Sequence, residues 1–286
     1  MTAVFDKIST YLRMIKFSHS IFALPFAFTS AIIASAGIPE LKQIFWIIVA
    51  MVGARSGAMG LNRIIDIDID RKNPRTASRE LPQGIISLTE ALVFVVVSFG
   101  LMIFSAYMLN PLCLKLSPVA IIVLILYSYT KRFTWASHFV LGLAIAAAPL
   151  GAWIAVRGTL DIEIIVLGIA IVFWLAGFDI LYALQDIDFD KEHGLYSIPK
   201  RFGISKSLYL SRTFHIITFM LFVINGLIFE LSGFYWAGIL ITAGLLLYEH
   251  SLIKKDDLRK LNMAFFNMNG YISMTIFIFT LMDYLI

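Results

Sequence analysis

Only one cysteine, Cys113, stands among 286 residues. An intrachain disulfide is therefore excluded, and with no other soft ligand nearby in sequence, neither a thiolate metal site nor a redox centre is indicated; packing is its expected role. Charge is scarce too. Asp, Glu, Lys and Arg make up 15% of the chain against 59% hydrophobic residues, and the mean hydropathy is +0.85. That balance excludes an ordinary soluble domain and describes an integral membrane protein. No small-residue cleavage site follows the first apolar run, so a removable signal peptide is not expected and the first span should be retained. Low-complexity segments and linkers are also missing, which leads us to expect one domain over residues 1–286.

What is present is apolar sequence in long runs. Nine stretches are long enough to cross a bilayer as helices, near residues 17–37, 43–65, 87–109, 112–130, 135–156, 162–184, 207–229, 232–250 and 264–285. The expected fold is all-α with nine transmembrane helices. Seventeen Lys and Arg residues fall in the N-terminal segment and in the loops after the second, fourth, sixth and eighth spans, whereas Lys42, Lys115 and Arg157 alone fall on the other side. By the positive-inside rule the N-terminus and those loops are cytoplasmic, and a bacterial cytoplasmic (inner) membrane is the expected location. Topology thus accounts for the net charge of +4, and nucleic acid is not an expected partner.

The acidic residues are gathered rather than scattered. NRIIDIDIDRKN (62–73) ends the second apolar run with aspartates on alternate positions, and YALQDIDFDKEH (182–193) repeats the device 120 residues later. Each segment then supplies cations and a Pro/Gly-rich turn, an arrangement expected of an internal duplication in which each half contributes half a site. If the helices continue through their acidic ends, Asn62, Asp66 and Asp70 line one face, as do Asp179, Tyr182, Asp186 and Asp190, with Arg55 two turns below Asn62. Asp68 points elsewhere. Carboxylates four residues apart near a low-dielectric core repel one another unless a cation lies between them. The ligands are all oxygens, which favours Mg²⁺ over zinc, and two facing clusters ringed by Lys and Arg suit a diphosphate held through two metal ions. A solvated helix end would explain one such cluster; it explains two on the same side poorly.

N62-x3-D66-x3-D70 together with D179-x2-Y182-x3-D186-x3-D190 resembles the paired signature of the UbiA-type intramembrane prenyltransferases. The resemblance extends over nearly the whole chain, through MIKFSHSIFALPFAF, NPRTASRELPQG, YSYTKRFT and SIPKRFG, and is strongest to bacterial 4-hydroxybenzoate polyprenyltransferases and their menaquinone-pathway relatives. One departure is Arg63, where many members carry Asp. The resemblance implies nine helices around a central cavity open toward lipid and capped by cytoplasmic loops. The reaction it implies is Mg²⁺-dependent transfer of a polyprenyl group from polyprenyl diphosphate to an aromatic acid acceptor, in ubiquinone or menaquinone biosynthesis.

On that resemblance, Asp66, Asp70, Asp186 and Asp190 hold the metal, and Asn62 and Lys131 meet the diphosphate, with Arg75, Arg79 and Arg201 as further contacts. Asp179 and Tyr182 orient the acceptor or take part in loss of the ring proton. Arg55 faces either the diphosphate or an acceptor carboxylate, and Lys16 and His19 are weaker acceptor contacts. Other members of the family, making haem O, chlorophyll or archaeal lipids, share the aspartates and are the nearest alternative. CDP-alcohol phosphotransferases are disfavoured because no D-G-x2-A-R segment is present. A cation-coupled transporter would place its carboxylates nearer the midplane.

Overall fold

A computed structural model of the chain describes residues 2–16, 22–255, 257–263 and 267–286. Among them there is no β-strand. The order is α1 (Thr2–Met14), α2 (Leu24–Ser35), α3 (Leu41–Ile65), α4 (Ile67–Lys72), α5 (Leu88–Leu109), α6 (Pro111–Thr130), α7 (Ser137–Arg157), α8 (Ile162–Ala183), a 3₁₀ turn over Leu184–Asp186, α9 (Ile187–Glu192), α10 (Ile198–Ile228), α11 (Gly233–Leu252), α12 (Leu261–Met263) and α13 (Asn269–Leu285).

Helix starts follow local chemistry. At α5 the Ser87 hydroxyl accepts from the Glu90 amide (3.2 Å) while the Glu90 carboxylate accepts from the Ser87 amide (3.0 Å), a reciprocal cap. Asn110 caps α6 through the Cys113 amide (2.9 Å), with Pro111 at the first helical position.

Six helices among the described residues are long and apolar enough to cross a membrane, while α2, α11 and α13 occupy the other three apolar stretches. With 12 residues, α2 reaches only ~18 Å, short of the ~30 Å of a bilayer core.

Helix α8 is the axis of the bundle. Ile164, Leu167, Ala170, Ile171 and Trp174 are fully buried along it, as expected for a helix that is apolar all round, and it packs mainly against α7 and α10. Side chains of α10 hydrogen-bond its carbonyls: Ser211 Oγ donates to Gly177 (2.7 Å), His215 Nε2 to Trp174 (3.1 Å) and Thr218 Oγ1 to Ala170 (3.4 Å). The α3–α5 contact depends on small residues, since a Cβ on Gly53 would stand 2.7 Å from the Ser98 carbonyl oxygen and one on Gly57 2.7 Å from the Phe99 ring.

Two expectations are corrected here. The acidic ends do not continue the helices: α3 stops at Ile65 and α4 begins after Asp66 (φ −93°, ψ 5°), and α9 begins after Asp186 (φ −105°, ψ 8°). The same residue type breaks both arms with nearly the same backbone, so the first aspartate of each pair is itself the helix junction. The SIPKRFG segment, expected as loop, is the first turn and a half of α10. Ser197 accepts from the Lys200 amide (3.3 Å) and Pro199 fits the first turn, while the helix kinks at Gly203 (φ 76°), a backbone that favours glycine.

Candidate active site

The ends of α3 and α8, with their acidic arms, meet the 73–87 loop, the α6–α7 turn and the start of α7 around a cavity of about 280 Å³. Asn62, Asp66, Asp70, Asp179, Tyr182, Asp186 and Asp190 all line it, as do Lys16, Arg55, Arg75, Arg79 and Lys131. The structure therefore brings together twelve of the fourteen residues singled out from sequence. His19 lies outside the described residues. Arg201 is placed elsewhere: its guanidinium sits over the rings of Trp135 (5.2 Å) and Phe202 (5.4 Å), because α10 already begins at Ile198 and carries it onto an exposed face.

Each aspartate is matched by donors. Asp66, 2% exposed, pairs with Lys131 Nζ, with Arg132 Nη2 (2.9 Å) and with Asn62 Nδ2 (3.2 Å). Asp70, 3% exposed, accepts from Arg79 Nη1 at 2.8 Å on both oxygens, with Arg63 Nη1 4.0 Å away. Asp186 takes the Arg75 fork (3.0 and 2.5 Å) and Asn73 Nδ2 (3.1 Å), and Arg75 Nη1 also donates to the Tyr182 hydroxyl (3.0 Å). Asp190 accepts from Ser197 Oγ (2.7 Å). Asp68 and Asp188 point out to solvent against Arg71 and Lys191, as the period-four reading requires.

Six cationic and five acidic side chains line the cavity, so their charges nearly cancel. A diphosphate adds more negative charge than one net cation offsets, and a divalent cation would have to come with it. No group of three Asp, Glu, His or Cys residues able to hold a metal alone occurs among the described residues. Each arm instead offers two carboxylates, which fits an ion that takes one or two carboxylates and completes its shell with water and phosphate oxygens.

Arg55 differs from the other cations. Its Nη2 reaches only the Lys16 carbonyl (3.4 Å) and its buried Nε has no partner. A cation with an unpartnered donor at the wall of a cavity suits an anion. Lys16, just before the first apolar stretch, has its pKa lowered to about 8, first by burial and then by Arg79, Arg63 and Arg75, with Glu80 opposing. Away from the charged end, Phe22, Met59, Leu141, Ile145, Leu175 and Phe178 line the cavity.

Several site residues escaped the sequence reading. Arg132 adjoins the recognised Lys131, and Asn73 and Ser197 lay inside segments read as turns. His138 is the most instructive: it is 3% exposed, and its Nδ1 stands 2.7 Å from Asp179 Oδ2. A histidine one turn into an apolar span was itself a signal, because polar groups at such positions need partners.

Comparison with known proteins adds three findings. The profile of the UbiA prenyltransferase family matches residues 23–271. The 4-hydroxybenzoate octaprenyltransferase of Shewanella piezotolerans (strain WP3 / JCM 13877) is 32% identical over 284 residues, covering 98% of both chains. Among solved structures, the apo form of a UbiA homolog from Aeropyrum pernix K1 superposes with a TM-score of 0.85 at 31% identity, covering 93% of this chain and 98% of that one. A UbiA homolog from Archaeoglobus fulgidus bound to GPP and Mg²⁺ shares the fold with a TM-score of 0.70 at 20% identity, covering 96% and 99%.

Proposed function

The chain belongs to the UbiA prenyltransferase family, and from that premise we propose that it transfers a polyprenyl group from polyprenyl diphosphate to an aromatic acid bearing a ring hydroxyl, 4-hydroxybenzoate or a close relative, in ubiquinone or menaquinone biosynthesis. The observation that carries the acceptor class is Arg55, whose buried Nε is unpartnered in the cavity that holds both aspartate arms. An acceptor carboxylate satisfies it. The names of relatives such as the Shewanella enzyme point the same way.

In this reading Asp66 and Asp70 on one arm and Asp186 and Asp190 on the other would hold Mg²⁺, one ion to each arm, with Asn62 beside the first. When bound, the metal supplies charge neutralisation for the departing diphosphate. Lys131, Arg75 and Arg79 give up part of their present carboxylate contacts to grip the diphosphate oxygens, which fixes the donor's head at the polar end. The prenyl tail lies along Leu141, Ile145, Leu175 and Phe178, where water is excluded and an allylic cation survives long enough to meet the ring. Tyr182 and Asp179, above the diphosphate, face the acceptor.

The two arms are halves of one site in a single domain, and nine spans in a bacterial inner membrane, with both arms at the cytoplasmic face, complete the proposal. Membranes containing the protein, incubated with labelled prenyl diphosphate, Mg²⁺ and a panel of acceptors, test it. Label should pass to aromatic acids. Transfer confined to a neutral acceptor such as haem or a glycerol ether would keep the family and overturn the acceptor.

A further inference from the structure

We propose that His138 is a positioning residue that aims Asp179 at the proton lost in the transfer, an assignment that rests on the acceptor reading above. The geometry fixes the histidine's state. Its Nε2 lies 3.2 Å from the backbone N–H of Ile198, which can only donate, so Nε2 must carry a lone pair. The ring proton therefore resides on Nδ1, and it is given to Asp179 Oδ2 at 2.7 Å. An imidazolium would set two N–H groups against each other at Nε2.

The consequence for Asp179 is directional. With Oδ2 turned toward α7 and held there, Oδ1 has no donor among the described residues, and the side chain, 22% exposed, lines the cavity. The histidine also links two parts of the site. Ile198 follows Ser197, whose hydroxyl donates to Asp190 Oδ2 (2.7 Å), so a chain of hydrogen bonds and one peptide unit runs from Asp179 through His138 to the second acidic arm. The group that accepts the proton is thereby registered against the place where the diphosphate departs.

The step balances as follows. The donor's C1–O bond breaks and both electrons leave with the diphosphate. The allylic C1 then accepts a pair from the ring carbon ortho to the hydroxyl, forming the new C–C bond. That carbon's C–H bond breaks, its electrons restore the aromatic ring, and the proton passes to Asp179 Oδ1, from which it reaches solvent on product release. His138 keeps its proton throughout and acts only by orientation, as the partner of a catalytic carboxylate.

Two variants separate this role from simple packing. In His138→Gln the amide sits where Nε2 was, so the Ile198 contact can persist while the donor to Asp179 is withdrawn. In His138→Asn the amide sits where Nδ1 was and restores that donor. Expected are a loss in kcat of about 10- to 100-fold for His138→Gln with the prenyl donor's KM unchanged, a primary isotope effect with acceptor deuterated ortho to the hydroxyl that exceeds the wild-type value, and recovery of most of kcat in His138→Asn. Equal losses in both variants, or an unchanged isotope effect in His138→Gln, would overturn the assignment while leaving the function intact. A wild-type protein that prenylates no aromatic acid overturns the functional reading and this assignment together.

Discussion

Replacing Arg55 with methionine should weaken aromatic acid binding and strengthen the empty protein, a pairing of opposite signs that few other residues would give. The stem of methionine fills a similar apolar volume while the guanidinium disappears. A hydrogen bond to a charged partner contributes about 1.5–3 kcal/mol, so losing the acceptor's countercharge should raise its KM roughly 10- to 150-fold at saturating donor. Free of ligand, the same guanidinium holds an unpartnered buried Nε and one long bond to the Lys16 carbonyl. An unsatisfied buried donor costs about 1–3 kcal/mol, and because Nε is buried while the rest of the Arg55 side chain keeps some exposure, the lower end applies. Its removal should raise the melting temperature by about 2–4 °C. Initial rates in membranes with each substrate varied in turn, and thermal unfolding in detergent, measure the two effects. An acceptor lacking the carboxylate, such as 4-hydroxybenzamide, should be insensitive to the change. If instead the KM for prenyl diphosphate rises and that for the acid does not, Arg55 serves the diphosphate and the reasoning fails.

Asp66→Asn should lower turnover by orders of magnitude, since it removes the charge that organises Lys131 and Arg132, whereas Asp68→Asn should change it less than threefold because that carboxylate faces solvent; equal losses would show the arm to be misread. Excess chelator should abolish transfer and Mg²⁺ should restore it, while full turnover in chelator would remove the metal from the proposal. With a pKa of about 8, Lys16 should lose its charge as pH rises through that value, so the KM for an anionic substrate should climb above pH 8 in the wild type and less so in Lys16→Gln. Between pH 8 and the ordinary lysine value the unfolded chain binds the extra proton, so the Lys16 contribution to stability rises with pH across that window, opposite in direction to the affinity. Arg201→Ala should leave both KM values within twofold, because its guanidinium rests on Trp135 and Phe202 away from the cavity; a tenfold change would return it to the site.

The sequence disclosed the site better than the helices that carry it. Oxygen ligands spaced by four at the ends of apolar runs mark where charge must gather, and Asn62, Asp66, Asp70, Asp186 and Asp190 do converge. Spacing alone could not show the break at Asp66 or Asp186, because hydrogen bonds from the Asp66 amide to the Asn62 carbonyl and from the Asp70 amide to the Asp66 carbonyl still span the first junction and keep the period of four. The cation partners were half legible. Arg75 and Arg79 follow Asp70 so closely that the loop had to bring them back, yet which aspartate each would meet depends on how 73–87 folds over Leu81 and Ile86, both buried. His138 and Asp179, 41 residues apart, meet only because α7 and α8 lie side by side, and no local pattern encodes that pairing.

Two arginines of α3 hold the end of the N-terminal segment by its main chain: Arg63 Nε donates to the Met14 carbonyl (3.2 Å) and Arg55 Nη2 to that of Lys16. A tether to carbonyl oxygens is indifferent to which side chains the tethered residues bear. The path of this stretch, including the left-handed turn at Lys16 (φ 46°), is thus held through its main chain, which leaves the Lys16 side chain to line the cavity. Substitution of Arg63 would release that path, because its side chain both anchors Met14 and lines the cavity beside Asp70.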